Sequence, residues 1–155
     1  MVDPIAVAGA LRLNPHHANP TSAADVVNEF LRLIMIPDPP AASRYSAPDM
    51  KIIFTGGRAM RQPSDCTKFN ASRYKWVKKR IERTDEVIQS AEALALRETI
   101  VYSIGTLYGE WPDGTPFEGN RYVDRYVVKN GLITHMDVWN DSAEWLLARA
   151  GLATL

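Results

Sequence analysis

Asp124 is a carboxylate set among phenols, in the run Asn120-Arg121-Tyr122-Val123-Asp124-Arg125-Tyr126-Val127-Val128. The run reads as a buried strand, and Asn130-Gly131 sends the chain back through Ile133-Thr134-His135-Met136-Asp137-Val138-Trp139-Asn140. A carboxylate in a buried strand has to be hydrogen-bonded, paired or protonated, because taking it bare from water costs several kcal/mol or more. Such a group suits acid–base chemistry on a small molecule. The alternative is an acid satisfied by tyrosine hydroxyls that only holds the core together. The residues leave both readings open.

The register of the hairpin decides which way Asp124 looks. A two-residue type I′ loop at Asn130-Gly131 pairs Lys129 with Leu132 and sets Asp124 opposite Asp137, a repulsive pair. A loop of Lys129-Asn130-Gly131 with a bulge at Gly131 pairs Val128 with Leu132 instead. Asp124 then faces Met136, and Tyr122 faces Val138. This register gathers Asn120, Tyr122, Asp124, Tyr126, Thr134, Met136, Val138 and Asn140 on one face. The other face carries Arg121, Arg125, His135, Asp137 and Trp139, where Arg125 can pair with Asp137 and Arg121 can stack on Trp139. Opposite charges become neighbours, so the bulged register is the expected one. His135 and Asp137 then belong to the surface or an interface, with Asp124 turned towards the helices. Tyr122, Tyr126 and Tyr102 of the neighbouring strand are placed to donate hydrogen bonds to it or to a ligand.

The elements that hold this hairpin follow from periodicity and caps. Residues 1–20 read as a loosely structured segment bracketed by Pro4, Pro15 and Pro20, and 21–155 as one domain. His16-His17 has no carboxylate or cysteine at ligand spacing and reads as tail rather than metal site. A helix opens at Thr21 or Ser22 with Asp25 completing a capping-box pattern, carries Val27, Phe30, Leu31 and Ile34 inward, and ends before Pro37. A short strand, Lys51 to Phe54, stops at Gly56-Gly57. A second helix is expected from about Ser64 to about Thr84, with Phe69, Trp76, Val77 and Ile81 at core spacing. The basic run Lys78-Lys79-Arg80 would be its solvated face. A short strand over Glu86 to Gln89 follows. Then come three strands, Glu98 to Trp111, Phe117 to Val128 and Leu132 to Asn140, with a turn at Pro112-Asp113-Gly114. Asp141, with Glu144, caps a last helix through Trp145, Leu146 and Leu147. Helices followed by an antiparallel meander give an α+β domain with helices on one face of a curved sheet.

Several function classes drop out. Eighteen basic residues balance eighteen acidic ones, so no net field draws nucleic acid or an anionic membrane. Cys66 is the only cysteine, which forbids an internal disulfide and fits a reducing, cytoplasmic setting. No stretch reads as a membrane span or a signal segment. No metal cluster and no Ser-His-Asp arrangement is apparent. Apolar residues occupy both faces of the strands: Ile100, Tyr102 and Ile104 alternate with Val101 and Leu107. The outer face therefore needs a cover, and a second copy of the chain is the simplest one.

The segments Asp113-Gly114-Thr115-Pro116-Phe117-Glu118-Gly119-Asn120-Arg121-Tyr122-Val123, Asn130-Gly131-Leu132-Ile133 and Trp139-Asn140-Asp141 resemble the SnoaL-like branch of the nuclear-transport-factor-2-like superfamily, which also holds the ketosteroid isomerases. The resemblance implies a cone-shaped curved antiparallel sheet with helices on its concave face, a deep apolar pocket for a hydrophobic small molecule, no cofactor, and a homodimer through the outer sheet face. It implies Asp124 and Tyr122 as the catalytic pair. Asn120, Tyr126, Tyr102, Met136, Val138, Asn140, Trp76, Phe30 and Phe54 would meet the ligand. In the isomerases an acid matching Asp124 hydrogen-bonds a developing enolate. Where they place a base this sequence has Phe54 and Thr55, where they place a helix tyrosine it has Phe30, and Val138 stands at the second acid of the epoxide-hydrolase pattern. The implied activities are isomerisation, cyclisation or dehydration, with non-catalytic binding or dimerisation as the alternative.

Overall fold

The computed structural model describes residues 22–155. The expectations for residues 1–20, His16-His17 among them, and for Thr21 lie outside that range. Helix α1 (Ala23–Met35) starts as its sequence asks. The Asp25 N–H donates to Ser22 Oγ at 3.0 Å and the Ser22 N–H to Asp25 Oδ2 at 3.2 Å, a reciprocal cap. Its stripe of Val27, Phe30, Leu31 and Ile34 is buried, joined by Val26 and Leu33. A single turn, α2 (Pro39–Ala42), leads into β1 (Ser46–Phe54), which begins earlier than the expected Lys51. Gly56 and Gly57, both at positive φ, fold the chain onto the short β2 (Arg58–Met60).

The main departure from the sequence reading lies at residues 63–87. Helix α3 (Pro63–Arg73) stops at Tyr74, whose φ of −124° and ψ of 151° are extended, and β3 (Trp76–Val87) replaces the second half of the expected helix. The Glu86 to Gln89 strand dissolves with it: Glu86 and Val87 end β3, and Ile88 and Gln89 follow outside any strand. Val77 and Ile81 are four residues apart, a spacing that fits a helical stripe and one face of a strand equally well. Pairing with the next strand settles the choice. After α4 (Ala91–Ala95) comes β4 (Glu98–Glu110), which runs antiparallel to β3 from Trp76↔Glu110 to Val87↔Ile100. Gly105 and Gly109 let β3 come close, because a Cβ at either would run into the Arg80 or Trp76 carbonyl oxygen.

β5 (Pro116–Lys129), β6 (Leu132–Asn140) and α5 (Ser142–Arg149) complete the chain. The sheet order is β2-β1-β6-β5-β4-β3, with β1 parallel to β6 and the other neighbours antiparallel. The α+β class is as expected, on a mixed sheet. The hairpin corrects the register in detail. Asn130 and Gly131 have φ of 50° and 78°, as a two-residue type I′ turn requires, and Lys129 pairs with Leu132. The bulge lies further on, at Thr134, so Asp124 faces Val138 and Tyr122 faces Asn140. The faces nevertheless follow the expectation: Asn120, Tyr122, Asp124, Tyr126, Met136 and Val138 are buried on the inner side. Thr134 yields its inward place to Ile133.

On the outer side Arg125 Nη1 meets Asp137 Oδ2 at 3.1 Å, and His135 Nε2 lies 2.9 Å from Asp137 Oδ1. Arg121 is not stacked on Trp139; its Nε donates to Asp141 Oδ2 at 2.6 Å. Asp141 does stand at the cap position of α5, but its carboxylate serves Arg121 rather than the helix. Helix α1 lies across the inner face against β3, β4, β5 and β6. Two packed clusters result. One joins α1 to Met50, Ile52, Tyr126, Ile133, Met136 and Val138; the other is aromatic, with Tyr74, Trp111, Phe117 and Tyr122 around Leu107. Among the described residues no helix is long and apolar enough to cross a membrane.

Candidate active site

Strand alternation turns Asp124 inward, and the side chain is 0% exposed. Its partner is Lys79, which the same alternation turns inward from β3 between Val77 and Ile81. Lys79 Nζ bonds Asp124 Oδ2 directly, and the Tyr126 hydroxyl donates to the same oxygen at 3.0 Å. Asp124 Oδ1 is buried and has no hydrogen-bond partner among the described residues. The ammonium also lies 3.8 Å from the centre of the Tyr122 ring, whose negative face favours a cation. The Tyr122 hydroxyl is held by Ser103 Oγ at 3.0 Å. Lys79 is thus gripped by a carboxylate and a π face.

The surroundings set the protonation states. Burial pushes the Asp124 carboxyl above its ordinary value of 3.8, while the Lys79 ammonium and the Tyr126 hydroxyl oppose that rise. Burial lifts the Tyr122 phenol to about 12 and the Tyr126 phenol well above its usual value, with the Asp124 charge adding to both. Both tyrosines are therefore hydrogen-bond donors at neutral pH. Cys66, buried nearby, is likewise driven up to about 12, mainly by desolvation, and is a thiol rather than a thiolate.

Lys79 is the one charged side chain lining a cavity of about 30 Å³ at the seam between the two core clusters. That is room for about one or two water-sized groups. Leu31, Ile34, Phe54, Met136 and Val138 supply apolar wall from one cluster, and Leu107 and Tyr74 from the other. Ile34, Met35, Asn70 and Val77 are shared with a cleft of about 450 Å³, bordered further by Ile36, Pro37, Ala71, Lys75, Trp76 and Lys78. A cleft of this size matches the body of a small organic ligand. The inner cavity matches only its functional tip.

A second polar chain fixes the far wall. The Tyr74 hydroxyl donates to Ser142 Oγ at 2.5 Å, Asn120 Nδ2 donates to the same oxygen at 3.3 Å, and the Ser142 N–H donates to Asn140 Oδ1 at 3.1 Å. Tyr74 and Asn140 reach the cavity, while Asn120 is buried behind them with its Oδ1 unpartnered among the described residues.

Of the residues expected at the site, Phe54, Met136, Val138 and Asn140 line the cavity. Asp124, Tyr122, Tyr126 and Asn120 are buried around it, and Asp124 meets it through Lys79. Phe30 packs edge-on against Tyr126 with centroids 6.2 Å apart, in the core rather than on the wall. Two residues are elsewhere. Tyr102 pairs across the sheet with Asp85 and Arg125 and so faces outward, because the inward positions of β4 are Val101, Ser103, Gly105, Leu107 and Gly109. Trp76 is 40% exposed, edge-on to Tyr108, and borders the outer cleft instead of the inner cavity. The basic run is not a solvated face either, since Lys78 and Arg80 are exposed but Lys79 is not. Sequence reasoning missed Lys79, Tyr74 and Asn70. The one sequence signal for Lys79, a cation midway between Val77 and Ile81, is ambiguous, because that spacing suits a helix as well as a strand.

No protein-family model matches the sequence, and no curated protein is similar to it in sequence. Solved structures are similar in fold. An NTF2-like protein of unknown function from Burkholderia pseudomallei superposes with a TM-score of 0.61 at 16% identity, covering 78% of this chain and 92% of its own. A Catenulispora acidiphila protein with a ketosteroid isomerase-like fold, solved in complex with trimethylamine, gives 0.58 at 16% identity, covering 82% and 92%. ActVI-ORFA from Streptomyces coelicolor gives 0.55 at 12% identity, covering 75% and 92%. These similarities, over most of each chain, show that the fold of this protein is the NTF2-like fold.

Proposed function

We propose that this protein binds an apolar, carbonyl-bearing small molecule, its body in the cleft and its carbonyl at Lys79. On this reading it acts on that molecule without a cofactor by isomerisation, cyclisation or dehydration. All three begin by moving a proton next to a carbonyl, and Asp124 is the group that takes and returns it, working beside Lys79. The observation that carries the reading is the buried Asp124–Lys79 pair, whose lysine lines a mainly apolar cavity. Tyr126 and Tyr122 hold the pair in place; Asn140 and Tyr74 are placed to orient the ligand. The trimethylamine complex of the Catenulispora protein supports small-molecule binding on this fold. The steroid isomerases' own mechanism does not carry over, because Phe54 cannot accept a proton and Phe30 has no hydroxyl to donate one.

A panel of apolar ketones and polycyclic ligands tests the binding. A ligand at a hundredfold excess over its Kd is expected to raise Tm by about 5–10 °C. Ala71→Trp, which fills the cleft, should abolish that shift. If no member of the panel moves Tm, the small-molecule reading falls. The second reading then stands: a non-catalytic module, favoured by an inner cavity of only about 30 Å³.

Both readings include a homodimer through the outer sheet face. Trp139 is 55% exposed and Val123 and Ile53 are each 38% exposed on that face, with Val123 in register with Trp139. Apolar side chains there, around the Arg125–Asp137 pair, are what a second copy would cover. The wild-type chain should run as a dimer in light scattering and Trp139→Glu as a monomer. A monomeric wild type at high concentration would remove the dimer.

A further inference from the structure

We infer that Lys79 is a carbonyl-reactive amine, which forms an imine with an apolar ketone or aldehyde entering the cavity while Asp124 carries the proton. The inference rests on the small-molecule reading above and adds a covalent step to it. Six lysines lie in the described chain, and Lys79 alone lines the inner cavity, with its side chain 9% exposed. Lys51, Lys68, Lys75 and Lys78 are exposed, and Lys129 ends β5 beside the turn. A buried ion pair is a weak source of stability, since well-packed apolar residues of similar volume do as well or better. The pair therefore calls for a chemical use. Most of the cavity that Lys79 lines is apolar, with Leu31, Ile34, Val77, Leu107 and Val138 among its walls, which would limit the water that reaches an imine once formed.

The geometry supplies the proton path. An ammonium has no lone pair, so Lys79 must first pass a proton to Asp124, which it already touches. Burial makes that carboxylate more basic than an exposed one. The Nζ lone pair then bonds to the carbonyl carbon as the C=O π pair moves to oxygen. A proton shifts from nitrogen to that oxygen, giving a neutral carbinolamine. Asp124 returns its proton to the hydroxyl, the C–O bond breaks, and water leaves as the nitrogen lone pair closes the C=N bond. One ammonium and one carbonyl become one iminium and one water. The iminium is left facing the Asp124 carboxylate, so the charge pair is restored.

The full-length protein is incubated with benzylacetone, reduced with sodium borohydride, and its peptides are mapped by mass. The expected result is one reduced adduct on the Lys79 peptide. It should be lost in Lys79→Arg, which keeps the charge but has no amine able to form the imine. Mapping of the wild type locates the label whatever the variant does. If benzylacetone raises Tm but the label is absent or lies only on exposed lysines, the imine is overturned and the binding reading survives. If it neither raises Tm nor labels Lys79, both are overturned.

Discussion

Lys79→Met is expected to lower the unfolding free energy by about 3–5 kcal/mol at neutral pH, because it leaves Asp124 buried without its counter-charge. The Tyr126 hydroxyl is then its one remaining hydrogen bond in the described chain, and a neutral donor does not offset the desolvation of a full charge. The effect should depend on pH in a defined direction. Asp124 already has a folded pKa above its ordinary 3.8, so its protonated form contributes stability below that unfolded value, and this is lost as pH rises through the folded value. Removing Lys79 takes away the main opposing charge and moves the folded value further up. The gap between variant and wild type should therefore be narrow in acid and wide at neutral pH. Urea unfolding at both pH values measures it. Adding Asp124→Leu should recover most of the loss, since the charge that suffers is then gone. An equal loss in acid and at neutral pH would mean that packing, and not the buried carboxylate, is responsible.

Asp124→Asn should slow proton exchange next to the carbonyl of a bound ketone by roughly 10²-fold or more. The amide keeps the size and one acceptor for Tyr126 and Lys79, but it can neither take a proton nor return one. Deuterium uptake by the ketone in heavy water, followed by NMR, reads this step directly whichever final reaction follows it. The substitution also strips Lys79 of its counter-ion, so the comparison belongs at a temperature where unfolding curves show both proteins folded. Asp113→Asn, at an exposed turn carboxylate paired with Arg149, is the control that should leave the rate alone. An unchanged rate in Asp124→Asn would reject its assignment as the acid–base group.

The sequence made the inward aim of Asp124 legible because faces in a hairpin depend only on parity. The expected bulge at Gly131 and the observed one at Thr134 shift the pairing by one residue in opposite directions. The partner of Asp124 changes from Met136 to Val138, and the face stays the same. Tyr102 was not legible in this way. The inner face of β4 sets Ser103, Gly105 and Gly109 between Val101 and Leu107, which breaks up its apolar signal, while the outer face carries Ile100, Tyr102 and Ile104. Lys79 was hidden by the spacing of Val77 and Ile81, which satisfies both periods. Only the strand that lies beside it in space decides between them. The missed half of the site thus follows from long-range pairing, whereas the legible half came from a local turn and its alternation.

β3 is a rim of the sheet, with β4 on one side and, among the described residues, no strand on the other. Lys79 reaches from this rim past β4 to Asp124 on β5, so the ion pair works as a rivet through the wall of the cone. The rivet fastens the outermost strand to the middle of the sheet, so the lysine that fills the interior also secures the edge.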